Sequence, residues 1–357
     1  MTAPADPREP YDVIGIGLGP ANLGLACLTE PLDELTALFL TPGPDASDVV
    51  RRSGTPLEGA RPRTPFLSDL VTLADPTSRY SFLNFLQESG RLYAFHRRES
   101  LYPLRAEYDA YCRWAAARLT SVRFGTTVTR VTYENDVYAV ATSVGDVLRA
   151  RHLALDTGST PYVPDACAKL GGDFVHASRY PEQKAELQKK NQITVVGDGR
   201  GAAEVYYDLL TDMDVHGYRL DWVTEAPRLL PPEHTGLLDA ILDLLHQKGL
   251  EGPVPSRLLT RSTLTRARYE HGTYTLGLRH RERGEDVTLT TEGLVLATGH
   301  RYRTPDFLEP VRERVRWDAH GSDPGTAPYR NASIIRELLG REVHPADEPT
   351  AFQEFAV

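Results

Sequence analysis

Tyr11–Leu25 reads YDVIGIGLGPANLGL, and the fold is decided there. Val13, Ile14 and Ile16 make a short apolar run of the kind a buried strand carries. Gly15, Gly17 and Gly19 punctuate it, Pro20 follows, and an apolar helix opens at Ala21, Asn22 and Leu23. A strand turning tightly into a helix N-terminus presents unpaired N–H groups and the positive end of the helix dipole, a setting suited to phosphate. Glycine is needed where a Cβ would block the turn or the approach of a pyrophosphate. Pro20 stands where the G-x-G-x-x-G pattern has its third glycine, at a first-turn position that proline tolerates.

A second copy lies far along the chain. Asn191–Leu210, NQITVVGDGRGAAEVYYDLL, is again strand, glycine turn and helix, with Gly197, Gly199 and Ala202 in the three small-residue slots. One copy alone describes a ligand-free glycine turn as well as a phosphate cradle. Two copies, widely separated, point to two dinucleotides, one of them a flavin.

At 357 residues the chain has material for about two domains with proper cores. The composition, 41% hydrophobic and 25% charged, is that of an ordinary globular protein. A net charge of −9 without a basic cluster argues against a nucleic-acid partner. Cys27, Cys112 and Cys167 lie far apart with no CxxC, which points away from a disulfide framework, a zinc site and a dithiol flavoprotein reductase. The polar start MTAPADPREP lacks an apolar signal region, and no apolar run is long enough to cross a bilayer. The expectation is a cytoplasmic protein in a reducing compartment, with no membrane association.

Between the two cradles the chain reads as strands and helices in turn. Leu35–Leu40 is expected to be the second strand, and its end usually carries an acid that holds a ribose hydroxyl. Here Thr41 occupies that slot and Asp45 is the nearest acid. Thr41–Pro65 reads as loop. Ser78 is the expected N-cap of a helix with Phe82, Leu83, Phe85 and Leu86 inward. Tyr108, Tyr111, Cys112 and Ala115 have helical spacing within Leu101–Leu119 and read as core. Val122–Leu155 alternates in the β manner around a turn at Asn135-Asp136 and ends in the strand His152–Leu155, followed by Asp156-Thr157-Gly158. Gly172–Lys190 reads as a linker.

After the second cradle, Leu220–Val223 reads as a strand, Leu237–Leu245 as a short amphipathic helix and Ser262–Leu289 as a polar β-region. Gly293–Gly299 (GLVLATG) adds an apolar strand and turn, and Asn331–Leu339 a closing helix. Leu155–Gly158 and Leu296–Gly299 read as the paired crossings of a nested domain.

Eight segments carry a resemblance: GIGLGPANL, FLSDLVTLADPTSRYSFLNFL, YPLRAEYDAYCRWAA, VVGDGRGAAEVYYDLL, VTEAPRLLPPEHT, LATGHRYRTPDFL, PYRNASIIRELLGREVHP and TAFQEF. Together they resemble the N-hydroxylating flavoprotein monooxygenases, most of all the lysine N6-hydroxylase and cadaverine N-hydroxylase branch of siderophore assembly. The resemblance implies an α/β fold of two Rossmann-like domains, with the NADPH domain inserted in the FAD domain. The expected boundaries are 1–185 for the first part of the FAD domain, 186–291 for the NADPH domain, and 292–357 for the return segment and C-terminal helix.

The resemblance also implies the reaction: NADPH reduces FAD, and a C4a-hydroperoxyflavin formed with O₂ hydroxylates the terminal amine of L-lysine or cadaverine. An aliphatic amine has a pKa of about 10.4, so at pH 7 fewer than about one molecule in a thousand is neutral and nucleophilic. The site must lower that pKa by burial or supply a base, and must exclude water. No protein nucleophile is required. The partners implied are an amine substrate and O₂, with a homodimer or homotetramer as the assembly.

The site residues follow from the motifs and the resemblance. FAD is assigned to Gly15, Gly17, Gly19, Pro20, Asn22, Arg63, Thr298 and Gly299. NADPH is assigned to Gly197, Gly199, Arg200, Ala202, Thr224 and Arg228, and the substrate to Ser68 and Asp239. No metal is assigned. His300 follows the Thr-Gly turn and reads equally as structural or proton-handling.

The chain also departs from the family pattern. The family usually has an acid at the position of Thr41, a Met-Gln pair where Pro62-Arg63 stands, and a Trp-His-Pro-Gly-type stretch where this chain has Val50–Thr55. Ornithine hydroxylases carry a lysine at the position of Ser68, so its absence tilts the expectation toward lysine or a diamine. The segments between His246 and Ser262 and between Asp318 and Pro324 are shorter than in relatives. These departures leave two alternatives open: a degenerate member with impaired FAD binding acting as a binding or regulatory protein, or a flavin oxidase or monooxygenase acting on another amine.

Overall fold

A computed structural model describes residues 9–49, 65–157, 160–227, 235–301, 304–315 and 326–345. By its contacts the chain divides into two compact units. The first gathers the described residues up to 157 and those from 304 onward, and the second is the stretch 160–301.

The first unit begins with β1 (Tyr11–Ile16), α1 (Pro20–Thr29) and β2 (Ala37–Leu40). Pro20 opens α1, and nearly every side chain of that helix is buried. Three helices follow, α2 (Phe82–Glu88), α3 (Leu92–His96) and α4 (Arg105–Ala116). The chain then forms β3 (Val122–Arg123), β4 (Val128–Glu134), β5 (Val137–Thr142) and β6 (Val147–Leu155). The sheet order is β3-β2-β1-β6-β5-β4, parallel from β3 to β6 and antiparallel through β5 and β4. Asn135 and Asp136 both have positive φ (52° and 61°), the two-residue turn whose twist matches a hairpin.

Helix α4 buries Tyr111, Cys112 and Ala115, as its periodicity implies. Its aromatics are packing residues: Tyr111 meets Phe82 edge-on at 5.3 Å, and Trp114 meets Phe85 at 5.7 Å. The N-cap of α2 is Ser81 rather than Ser78, because the Ser81 hydroxyl accepts the Asn84 N–H. With the helix starting there, Phe82, Phe85 and Leu86 share the inner face, and Leu83 is turned outward at 41% exposure.

The second unit contains β7 (Thr160–Pro161), β8 (Val175–His176), α5 (Tyr180–Leu187), β9 (Gln192–Val196) and α6 (Gly199–His216). It continues with β10 (Arg219–Val223), α7 (Thr235–Glu251) and β11 (Ser256–Leu259). An antiparallel three-stranded sheet of β12 (Ser262–Glu270), β13 (Thr273–His280) and β14 (Glu285–Thr291) accounts for the polar β-region. Strands β15 (Gly293–Leu296) and β16 (His300–Arg301) complete the unit. The main sheet is wholly parallel, in the order β11-β10-β9-β15-β8. Back in the first unit, α8 (Ala327–Leu339) packs on α1.

Three further expectations shift. Gly172–Lys190 is no linker: β8 pairs with β15, and Tyr180 and Leu187 are buried in the second unit's core. Strand β15 lies between β9 and β8, so the compact second unit extends well beyond 186–291 at its start and past 291 at its end. The expected helix Leu237–Leu245 is longer, running from Thr235 to Glu251.

Candidate functional site: two glycine cradles

In the first cradle the three glycines do different work. A Cβ on Gly15 would stand 2.2 Å from the Phe39 ring, so this glycine lets β2 pack against β1. Gly17 has φ +86°, and a Cβ there would lie 2.1 Å from the Asp156 carbonyl oxygen. Gly19 is the N-cap of α1, and its Cβ would lie 2.6 Å from both Asp156 carboxylate oxygens. Asn22 is buried and bridges the turn: its amide donates to the carbonyls of Gly17 (2.8 Å) and Ala154 (3.1 Å). Pro20 occupies the first helical turn.

The Asp156 carboxylate accepts the Asn22 backbone N–H at 2.9 Å and the Ala21 N–H as well. Burial pushes its pKa above the usual carboxylate value, while those bonds and the charge of Arg330 pull the other way. The sequence places Asp156 only as the residue after the strand His152–Leu155 and assigns it no role. Its signal was the internal parallel of LALDTG (153–158) with LVLATG (294–299). The α1 N-terminus presents the Ala21 and Asn22 N–H groups to a carboxyl oxygen acceptor, and the same donors suit a FAD diphosphate.

The ribose slot stays without an acid. Thr41 is buried at the end of β2, and the exposed Asp45 spends its carboxylate on the Ser47 N–H at 2.7 Å.

In the second cradle Gly197 has φ +152°, and a Cβ there would lie 2.0 Å from the Ala297 carbonyl oxygen. The Trp222 indole N–H donates to the Gly197 carbonyl. Gly199 (φ +75°) and Gly201 have nothing within 4 Å of where a Cβ would stand, so this turn is open to an approaching group. Ala202 is fully buried and lets α6 lie close on the sheet. A dinucleotide pyrophosphate fits this open glycine turn at the start of an eighteen-residue helix.

Arg200 bonds Glu204 one turn on, and the second oxygen of the 3%-exposed Glu204 has no partner among the described residues. Thr224 is buried, and its hydroxyl is committed to Asp198, which also accepts the Glu225 N–H at 2.9 Å. That commitment leaves Thr224 positioning the β10 end rather than facing outward. Asp198 was not anticipated.

Thr298 and Gly299 belong to the second unit, and the glycines of the first cradle with which they were grouped belong to the first. The Thr298 hydroxyl donates to the Tyr162 carbonyl, and the Gly299 carbonyl accepts from His176 Nε2 at 3.0 Å. His176 and His300 meet edge-on at 5.0 Å, and burial lowers the pKa of both.

Ser68 is half-buried and lines a small depression with Pro65, Phe66, Asp69, Phe82, Pro103 and Tyr108. Asp69 beside it is consumed structurally, accepting the N–H groups of Val71, Thr72 and Phe82 and the Thr72 hydroxyl. Asp239 is an exposed acid on α7 in the other unit. Arg63, Arg228, Pro62, Val50–Thr55 and 318–324 lie outside the described residues. Among the described residues no metal-binding cluster occurs, and no helix is long and apolar enough to cross a membrane.

The sequence profile of the L-lysine 6-monooxygenase/L-ornithine 5-monooxygenase family matches residues 9–243 and 233–302. A putrescine N-hydroxylase of Shewanella oneidensis is 35% identical over 98% of this chain and 85% of that protein. The FAD-bound crystal structure of the cadaverine monooxygenase of desferrioxamine biosynthesis from Erwinia amylovora superposes with a TM-score of 0.90, at 37% identity over 98% of this chain and 99% of that one. An L-lysine N6-monooxygenase of Escherichia coli is 29% identical over 72% of this chain and 61% of its own. Two α/β units, each with a parallel strand whose glycine turn opens a helix, together with these matches, place the chain in the L-lysine 6-monooxygenase/L-ornithine 5-monooxygenase family of flavin-dependent N-monooxygenases.

Proposed function

We propose that this protein hydroxylates one terminal amine of a short aliphatic diamine, cadaverine or putrescine, in preference to L-lysine, using FAD and NADPH, for hydroxamate siderophore biosynthesis. The observation that carries the reading is the near full-length similarity to a cadaverine monooxygenase and a putrescine N-hydroxylase, against the partial match to the lysine enzyme. The first cradle (Gly17, Gly19 and the N–H groups of Ala21 and Asn22) is assigned to FAD, and the second (Gly197, Gly199, Gly201) to NADPH. When bound, the reduced flavin supplies the oxygen-activating chemistry. The chain's own tasks are then to hold the two diphosphates on helix N-termini, to keep water out, and to present the amine neutral.

For the amine, burial in an apolar depression favours the uncharged form. The depression of Pro65, Phe66, Ser68, Asp69, Phe82, Pro103 and Tyr108 is mostly apolar, and its Ser68 hydroxyl offers a hydrogen-bond partner without a positive charge. Among the described residues that line it none is a cation able to pair with a substrate carboxylate, which supports a diamine over an amino acid. The nearby Asp69 carboxylate is saturated with four hydrogen bonds and is not assigned as a base.

The test is NADPH oxidation with FAD present, with product identified by mass spectrometry, for cadaverine, putrescine, L-lysine and L-ornithine. Amine-stimulated turnover giving a hydroxylamine is expected, with kcat/KM for a diamine about tenfold or more above that for lysine. Oxidation that yields only hydrogen peroxide whatever the amine refutes the reading. A second reading, a family member that holds FAD weakly, is favoured by one observation, the carboxylate of Asp156 in the first cradle.

A further inference from the structure

The two cradles are built alike, and the comparison between them isolates one residue. In the second unit the glycine turn after β9 faces the end of β15, where Ala297 comes within 2.0 Å of an added Cβ at Gly197. In the first unit the turn after β1 faces the end of β6, where Asp156 takes the same place against Gly17 at 2.1 Å. The crossing turns, LALDTG and LVLATG, differ at that position by an aspartate against an alanine. The consequence is local. Around Gly199 and Gly201 the second cradle is open, whereas in the first cradle both Asp156 oxygens crowd Gly19 and one takes the Asn22 N–H. The donors that would receive a diphosphate are already engaged with an anion of the protein's own.

We propose that Asp156 is a built-in anion of the FAD cradle, which a dinucleotide must neutralise or displace, so that this one side chain sets how tightly and at what pH FAD is loaded. The inference rests on the assignment of the first cradle to FAD. The backbone of Asp156 is fixed, its N–H donating to the Ile16 carbonyl at 2.9 Å, so only the side chain is free to yield. Two anions on one helix N-terminus repel, and the weaker acid protonates. Among the described residues, the groups that face the carboxylate are the Ala21 and Asn22 N–H groups from α1 and the charge of Arg330 from α8. Burial already biases the carboxyl toward its neutral form. FAD binding therefore takes up a proton, and affinity falls as pH rises past the carboxyl's pKa.

The experiment is a flavin-fluorescence titration of FAD into the deflavinated full-length protein between about pH 5.5 and 8.5, for wild type, D156N and D156A, with thermal melts of each apo protein. A wild-type Kd that rises toward about tenfold per pH unit is expected. D156N, which keeps an acceptor for the α1 N–H groups, is expected to be nearly flat with pH and at least about tenfold tighter than wild type at the alkaline end. D156A copies the second cradle, so it binds as D156N does while its apo melt falls through loss of the cap. If D156N matches wild type in Kd and pH profile, Asp156 is a helix cap alone and the inference fails while the FAD assignment stands. If no variant binds FAD at any pH, the assignment and the inference fail together.

Discussion

Gly17→Ala and Gly199→Ala make a matched pair, because both glycines have a left-handed φ (86° and 75°) but only one is crowded. At each position alanine meets the same left-handed cost, about 1–2 kcal/mol. At Gly199 the bill ends there, since nothing lies within 4 Å of the new methyl. At Gly17 the methyl would sit 2.1 Å from a backbone carbonyl oxygen, against the 3.4 Å or more of an ordinary contact. Relief requires β1 and the end of β6 to part by more than an ångström. Strain then falls on the Gly17 N–H bond to Leu40 and the Asp156 N–H bond to Ile16, both 2.9 Å. Losing one buried backbone hydrogen bond adds about 1–3 kcal/mol. Gly17→Ala is therefore expected to cost about 2–5 kcal/mol and Gly199→Ala about 1–2 kcal/mol. Hydrogen exchange read by mass spectrometry separates the two units, as a single global transition would not. The opening free energy of peptides spanning β1 and β6 should fall in the first variant with β9 unchanged, and the reverse in the second. A Gly17→Ala cost no larger than that of Gly199→Ala refutes the crowding argument.

Three further outcomes are expected. Asp69→Ala orphans the N–H groups of Val71, Thr72 and Phe82 and should destabilise the first unit by about 3–5 kcal/mol, seen as loss of protection in α2; a cost under about 1 kcal/mol contradicts it. Asn22→Ala removes two amide bonds that bridge the first turn to β6 and should cost about 2 kcal/mol, while weakening FAD retention without moving the KM for NADPH. Burial lowers the pKa of His176 and His300, so the unfolded chain protonates first, and the second unit should lose stability as pH falls below about 6.5. His176→Gln should flatten that decline in urea midpoints measured across the range, and an equally steep decline in the variant counts against the assignment.

Weak FAD retention is tested by the Asp156 titration. An activity assay run with excess FAD would mask a loading defect, whereas the affinity and its pH profile expose it directly. The same titration also separates the roles of Asp156 and Thr41. A missing ribose partner at Thr41 weakens FAD equally at every pH, because no titrating group is involved.

The local code was sufficient for what depends on local chemistry. Glycines at 15, 17 and 19 and at 197 and 199, each after an apolar run and before a helix, fixed two β–turn–α units, since few other residues can make that turn. The Asn135-Asp136 hairpin and the buried face of α4 were legible for the same reason, being set by turn chemistry and by helical period. Register and partner choice were not. Strand β8 is two residues long and carries no alternation, so its place beside β15 follows only from the sheet it completes, and the unit boundary moved with it. The exchange of Ser78 for Ser81 as the cap turned on which hydroxyl meets the Asn84 N–H, a difference of under one helical turn. Asp156 shows the limit most clearly. In sequence it is 134 residues from Asn22, and nothing in either local stretch relates them. Only the pairing of β6 with β1 brings its carboxylate to the helix N-terminus, because electrostatics acts through space while sequence patterns act along the chain.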